Sequence, residues 1–194
     1  MPAPTRIPAM GTADTTGVLT LAFDGGPREV GDLLERIRPR LVMWAAARLS
    51  PALRAKVEPE DVVQDVLTAV HKDFRLFTGR SPGEFFKWVF TIGEHRIRDL
   101  VDHFGALKRR LPEPQTFSQT SPSTAASRSE EVQRMMGALQ RLSEEHRQAI
   151  VLLKIEERPA AEVALVLKRS ENACRILLCR AMKELAIELG GEAG

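Results

Sequence analysis

The chain has 194 residues, 28% of them charged and 43% hydrophobic, which suits one large or two small folded domains and excludes a wholly disordered protein. The formal net charge is only +2, so total charge points to no particular class of partner. Cys174 and Cys179 stand five positions apart, a spacing that suits neither a disulfide nor a zinc site. The apolar run over 18–23 is too short to span a membrane. We therefore expect a cytoplasmic protein with reduced thiols, no metal or other cofactor and no membrane partner.

The first half of the chain predicts a disordered tail over 1–15 and a helical domain over 16–110. A short helix over 16–23 precedes a long helix over 28–49, and Pro59 then starts a third, since proline suits the first helical turn. Ser81 and Glu84 form a capping-box pattern that starts a fourth helix, expected to run to about Phe104. The predicted core faces of the second and third helices comprise Val30, Leu33, Leu34, Ile37, Leu41, Trp44 and Ala45, and Val62, Val63, Val66, Leu67, Val70 and Phe74.

A flexible linker is predicted over 111–129, which has three prolines, many Ser and Thr residues and almost no apolar periodicity. A second helical domain follows over 130–194. The expected fold class is all-α, with two small helical domains joined by that linker. Four sets of apolar residues mark the helices of the second domain: Val132, Met135, Met136, Leu139 and Leu142; Ile150 and Leu153; Val163, Val166 and Leu167; and Cys174, Leu178, Ala181, Leu185 and Leu189.

The last two of these helices have the spacing of a helix-turn-helix. The turn is Lys168-Arg169-Ser170, and the Ser170 hydroxyl can cap the final helix. Opposite the apolar stripe of that helix lies a polar face that could enter a DNA major groove, formed by Asn172, Arg175, Cys179 and Lys183. From these residues alone, an ordinary three-helix bundle with a solvated outer face is the alternative.

Two further patterns could bind partners. Asp61, Gln64 and Asp65 at a helix start could dock a basic surface, although on sequence alone a solvated helix start is favoured because the helix dipole attracts acids there. The fourth helix interleaves aromatic and basic residues, as single-stranded DNA binding requires, but helical spacing assigns Trp88 mainly to the core. No catalytic motif is found, so we expect no enzyme and no catalytic residue.

Three segments in this order resemble the sigma-70 family of RNA polymerase initiation factors, in its extracytoplasmic function (ECF) subtype. EPEDVVQDVLTAVHKDF resembles region 2.2, and FFKWVFTIGEHRIRDLVDHF resembles regions 2.3 and 2.4. LSEEHRQAIVLL, followed by RPAAEVALVLKRSENACRILLCRAMKEL, resembles region 4. The resemblance covers roughly residues 17 to 189, and the domains over 16–110 and 130–194 then correspond to sigma regions 2 and 4.

The resemblance implies a protein that binds core RNA polymerase and directs it to promoters by contacting the −10 and −35 elements. It assigns polymerase binding to Asp61, Gln64 and Asp65. It assigns −10 binding to Lys87, His95, Arg96, Arg98, Asp99 and His103. It assigns −35 binding to Ser170, Asn172, Arg175, Ile176, Cys179 and Arg180. The implied partners are core RNA polymerase, promoter DNA and an anti-sigma factor, and the free protein is expected to be a monomer.

The sequence departs from the family pattern at three places. His95 stands where region 2.4 often has Asn, so the −10 preference cannot be transferred. Lys168 stands where the turn usually has Gly and would need a left-handed backbone, which costs about 1 kcal/mol. Ile176 and Leu177 replace polar or basic residues of the recognition helix.

Two other functions remain open on the sequence. One is a self-sufficient helix-turn-helix regulator that dimerises on a palindrome without polymerase. The other is a sigma-like adaptor that binds polymerase or a regulator without starting transcription. A dimer in gel filtration would favour the regulator, and tight polymerase binding without transcription would favour the adaptor.

Overall fold

A computed structural model of the chain describes residues 17–110, except 18, 21, 24 and 80, and residues 130–190. The predicted tail over 1–15 and the predicted linker over 111–129 lie outside the described residues. Within the described ranges the regular structure is entirely helical, which confirms the predicted fold class. These residues divide into two compact units, one within 13–128 and the other within 129–194. No helix in this part of the chain is both long enough and apolar enough to cross a bilayer.

The first unit contains four helices after the described helical residues between 17 and 23. They are α1 (Pro27–Arg48), α2 (Pro51–Arg54), α3 (Pro59–Asp73) with a 3-10 turn over Phe74–Leu76, and α4 (Pro82–Arg110). The sequence did not predict α2, which Ser50 caps by accepting a hydrogen bond from the Leu53 N–H at 3.3 Å. Helix α4 also runs past the expected end near Phe104, because residues 106–110 include no Gly or Pro and favour helix.

The starts of α1 and α4 are fixed by carboxylates three residues beyond the cap. Glu84 accepts hydrogen bonds from the N–H and hydroxyl of Ser81 at 3.1 and 2.9 Å, and its own N–H donates to the Ser81 hydroxyl at 3.3 Å, which confirms the capping box. At α1, the Glu29 carboxylate accepts from the Gly26 N–H at 2.8 Å. Backbone hydrogen bonds from Glu29 itself and from Gly26 lower the pKa of the Glu29 carboxyl.

The core of the first unit lies between α1, α3 and α4, with α3 packed against both of the others. Every residue predicted for the core faces of α1 and α3 is buried. Helices α1 and α4 meet where the Trp44 indole lies against Gly93, since a Cβ at position 93 would come within 2.6 Å of that ring. The α4 residues buried here are Phe85, Phe86, Val89 and Phe90.

The second unit contains α5 (Glu130–Arg141), α6 (Glu144–Ile150), α7 (Ala160–Leu167) and α8 (Glu171–Glu188). Helix α6 continues into a π-helical turn over Val151–Ile155, and Glu157 behind it adopts a positive φ of 53°. In this connection, Glu156 is 8% exposed and pairs with Arg158 at 2.5 Å. Helix α8 packs against α5, α6 and α7, so it forms the centre of this unit.

The apolar stripe predicted on α7 was wrong at one position. Val163 is fully buried against Leu152 and Cys174, and Leu167 is partly buried beside them, but Val166 is 54% exposed. At about 100° per residue, position 167 lies about 40° from 163 around the helix and position 166 lies about 60° from it in the opposite direction, so only the flank that carries Leu167 is turned toward the core. The short helix therefore buries a narrower face than its composition suggests.

Candidate functional site

The start of α8 has the local structure of a helix-turn-helix. Lys168 ends α7 in the left-handed conformation with φ 52° and ψ 45°, as predicted from its place in the turn. The Ser170 hydroxyl caps α8 by accepting from the Ala173 N–H at 3.2 Å. Arg169, between them, donates to the Glu145 carboxylate at 2.8 Å and so ties the turn to α6. These contacts fix the position at which α8 begins.

Helix α8 has two distinct faces. Cys174, Leu177, Ala181 and Leu185 are buried, whereas the predicted −35 residues Asn172, Arg175, Ile176, Cys179 and Arg180 are all exposed. Leu178, predicted for the buried stripe, is only half-buried, and Leu177 takes its place in the core. Arg175 lies 3.5 Å from the Glu171 carboxylate one turn earlier, an exposed pair that a phosphate could displace. The face can therefore present a cation, an amide and a thiol to a ligand.

Ile176 adds an apolar group to this exposed face. Its side chain is 45% exposed, and Leu165 and Val166 on α7 are 80% and 54% exposed. A methyl-bearing side chain can contact the C5-methyl group of thymine in a major groove, so Ile176 remains compatible with DNA contact.

The predicted −10 residues lie on the exposed side of α4. Lys87, His95, Arg96, Arg98, Asp99 and His103 are all exposed. Lys87, His95 and Arg98 share one stripe, while Arg96 turns about 100° away from His95 toward the edge of the helix. The aromatic residues of α4 differ in burial. Phe86 and Phe90 are buried, whereas Trp88 is half-buried and stacks on Phe77 with ring centroids 5.0 Å apart.

The predicted polymerase-binding residues lie on the exposed face of α3, and two of them contact arginines of their own domain. Arg96 donates from Nε and Nη2 to one carboxylate oxygen of Asp65 at 2.8 and 2.5 Å. The Gln64 side-chain oxygen accepts from Arg38 at 3.1 Å. Asp61 is exposed, and within the described part of the chain its carboxylate makes no ion pair. The structure thus brings the predicted polymerase and −10 sites into direct contact through Asp65 and Arg96.

Arg38, on α1, contacts the predicted polymerase-binding residue Gln64, and the sequence did not identify it. It also binds Glu35 on its own helix at 2.8 Å, and this side-chain hydrogen bond lowers the pKa of the Glu35 carboxyl. The Glu35–Arg38 spacing is visible in the sequence, but the contact with Gln64 joins residues 26 positions apart and depends on how α1 packs on α3.

The described residues contain no cluster of metal-binding side chains and no disulfide. Among the residues described, no three His, Cys, Asp or Glu side chains lie close enough to hold a metal ion. Both cysteines are free, Cys174 buried in the helix-turn-helix core and Cys179 exposed on the outer face of α8.

Comparisons with known proteins agree with this geometry. Residues 133–185 match the family model "Sigma-70, region 4". The chain is 25% identical over 177 residues to the ECF RNA polymerase sigma factor SigD of Mycobacterium tuberculosis, covering 89% of this chain and 82% of SigD. It is 27% identical over 169 residues to the RNA polymerase sigma factor CarQ of Myxococcus xanthus, covering 86% and 92%.

A solved structure, that of CnrH in complex with the cytosolic domain of CnrY, is 25% identical and covers 92% of this chain and 99% of that one, with a TM-score of 0.45. Both sequence relatives are RNA polymerase sigma factors, and the similarity covers 82% and 92% of their lengths, which favours an initiation factor over a stand-alone regulator or an adaptor. The family model falls on the helix-turn-helix described above, and the relatives extend the similarity across the first domain. These similarities support an extracytoplasmic function sigma factor of the sigma-70 family.

Proposed function

We propose that this chain binds core RNA polymerase in the cytoplasm through the exposed face of α3 and brings it to promoters that α4 and α8 contact. It acts by binding alone, with no catalysis of its own, and is a monomer before it meets polymerase. The observation that carries the proposal is the capped helix α8, whose buried stripe lies opposite an exposed face with Asn172, Arg175 and Arg180, within the segment that matches sigma region 4.

The −35 contact is proposed for the outer face of α8. A helix laid in the major groove reads base edges with side chains near its N-terminus, where Asn172, Arg175 and Ile176 lie. Asn suits adenine and Arg suits guanine, each by paired hydrogen bonds worth about 1–3 kcal/mol of discrimination. Ser170, whose hydroxyl already caps the helix, would act through its backbone, and Cys179 and Arg180 would contact the groove edge and phosphate.

The −10 contact is proposed for the exposed side of α4. Lys87 and Arg98 on the main stripe can neutralise phosphates of a separated strand, with Arg96 at the edge of the helix. His95 and His103 can stack on or hydrogen bond to bases, and Asp99 can accept from a base amino group. Extruding a base costs a few kcal/mol, so a strand is held only where these contacts offset that cost, and this produces selectivity.

Polymerase docking through α3 is tested by reversing the charge of Asp61 alone. Reversing Asp65 would also destroy its ion pair with Arg96, whereas Asp61 makes no such pair among the described residues. We expect Asp61→Arg to weaken binding to purified core polymerase by about tenfold or more, equivalent to about 1.4 kcal/mol, because a basic clamp surface would repel the new arginine.

Asp32→Arg is the matched control, since it makes the same charge change at an exposed acid of α1. Equal affinities for wild type, Asp61→Arg and Asp32→Arg would exclude α3 as the docking face. Failure of the wild-type chain to bind core polymerase would refute the proposed function.

An anti-sigma factor is a further proposed partner. Leu165, Val166 and Ile176 are exposed in the second unit and could be covered by another protein in the free state. A partner of that kind would compete with −35 DNA for Ile176, so its addition should reduce promoter binding by the holoenzyme.

A further inference from the structure

The ion pair between Asp65 and Arg96 joins two residues that serve different ligands in the proposed function. Two of the donor nitrogens of the Arg96 guanidinium, Nε and Nη2, are directed at one oxygen of Asp65, at 2.8 and 2.5 Å. The two side chains, Arg96 and Asp65, are 44% and 49% exposed, so each can be reached by an external ligand. Asp65 belongs to the acidic face of α3 and Arg96 to the DNA-facing helix α4.

The position of Arg96 on α4 explains why this cation is held. Lys87, His95 and Arg98 lie on the stripe opposite the buried phenylalanines, whereas Arg96 lies at the edge of the helix, where α3 packs. When a guanidinium is bound to a carboxylate, the negative charge of the carboxylate offsets its positive charge. The guanidinium then attracts a phosphate less strongly. Arg96, a predicted DNA-binding residue of α4, is thus bound by Asp65 of α3, the helix proposed to bind polymerase.

The pair is weak enough to be exchanged. Exposed ion pairs contribute about 0.2–1 kcal/mol, because water and salt screen them and both side chains lose freedom. A cluster of basic residues on a partner would compete effectively for Asp65, and a polyanionic strand would compete for Arg96. Polymerase binding to Asp65 therefore removes the carboxylate that competes with DNA for Arg96. Likewise, DNA binding to Arg96 removes the guanidinium that competes with polymerase for Asp65.

We propose that the Asp65–Arg96 ion pair couples polymerase docking to DNA-strand binding. In the free protein Asp65 holds Arg96 back from phosphates, and when a basic polymerase surface takes Asp65, Arg96 is released to the strand. The coupling is reciprocal by linkage, so a bound strand also leaves Asp65 available to polymerase. This inference rests on the proposed function, and it predicts that the free protein binds promoter DNA less tightly than the polymerase-bound protein does.

Strand binding by the free, full-length chain tests the pair directly. The probe is a fluorescently labelled single-stranded DNA of about 12 nucleotides and mixed sequence, followed by anisotropy at low salt. Asp65→Asn keeps the shape of the side chain but removes the negative charge, which weakens its hold on Arg96. Asp61→Asn is the matched control, because it removes the same charge from the same exposed face without an ion pair in the described structure.

We expect Asp65→Asn to bind the strand about two- to fivefold more tightly than Asp61→Asn, the range that an exposed pair allows. In an Arg96→Gln background the two asparagine variants should bind equally, because the released cation is gone. Equal binding by the two single variants, an excess that persists without Arg96, or no measurable binding by any variant overturns the proposal.

Polymerase affinity without DNA provides the reciprocal measurement. Arg96→Gln frees Asp65 and should raise affinity for core polymerase by about two- to fivefold, whereas Arg98→Gln, which removes a cation from the same helix, should not. Unchanged affinity for Arg96→Gln contradicts the coupling. If instead wild type binds no polymerase at all, the proposed function has failed, while the strand measurement still decides whether Asp65 masks Arg96.

Discussion

Lys168 determines how the two helices of the helix-turn-helix are joined. Its left-handed backbone lets the N–H groups of Lys168 and Arg169 donate to the carbonyls of Leu165 and Ala164 at 3.3 and 3.0 Å, which closes the end of α7. A side chain with a Cβ is strained in this conformation, and the exposed Lys168 side chain could be lost without disturbing the core.

We expect Lys168→Gly to stabilise the second unit by about 0.5–1 kcal/mol, because relief of that strain exceeds the added entropy of the unfolded chain. Ala161→Gly, exposed within α7, is the control and should destabilise by a similar amount. Amide hydrogen exchange in α7 and α8 of the full chain measures the change in stability that each substitution causes. If glycine at 168 is as harmful as glycine at 161, the left-handed conformation carries no strain.

At the scale of elements, the approach of α1 to α4 determines which side of α4 faces solvent. The Trp44 ring occupies the space beside Gly93, and it also packs against Phe90 with ring centroids 5.5 Å apart. With these residues turned inward, Lys87, His95 and Arg98 are turned outward on the same helix. Packing between two helices therefore positions the proposed −10 face.

Gly93→Ala should destabilise the first unit by about 1–3 kcal/mol, because the new methyl group would lie 2.6 Å from the buried Trp44 ring. Gly83→Ala, in the first turn of the same helix with nothing within 4 Å of the added Cβ, should be neutral or slightly stabilising. Urea unfolding followed by tryptophan fluorescence suits this test, since both tryptophans belong to this unit. Equal stabilities of the two variants would show that α1 and α4 are not tightly packed there.

At the scale of the whole molecule, the proposed function depends on two units carried by one chain, each with a DNA-binding face. The described residues form two compact units, and each presents one proposed DNA-binding face. Two modest contacts on one chain act together because binding of the first raises the effective concentration of the second, often to the millimolar range. Neither face then needs high affinity of its own.

We expect cleavage of the chain between 111 and 129, at a protease site inserted there, to reduce promoter-specific transcription by about a hundredfold at micromolar protein. Binding of the first unit to polymerase should persist, since its proposed docking face is intact. The uncleaved variant with the same insertion is the control, and transcription in vitro from a promoter with both elements is the measurement. Equal transcription before and after cleavage would show that the two units do not need to be linked.

The sequence by itself determined the helical fold class, the buried faces of α1 and α3, the capping box at Ser81 and the cap and left-handed turn before α8. Each of these depends on residues within a few positions of one another, where side-chain periodicity and capping chemistry act directly. The three sigma-like segments and their order are also properties of the sequence, and together they are enough to indicate the family.

The tertiary structure alone decided the contacts between distant segments. Asp65 and Arg96 are 31 positions apart, and Trp44 and Gly93 are 49 apart, so no local pattern predicts that they meet. The same holds for Val166, which has an apolar side chain but turns away from the core because the short α7 buries only one narrow face. Local chemistry selects the helices, but the packing of one helix on another decides which side chains are left for a partner and which are already bound within the domain.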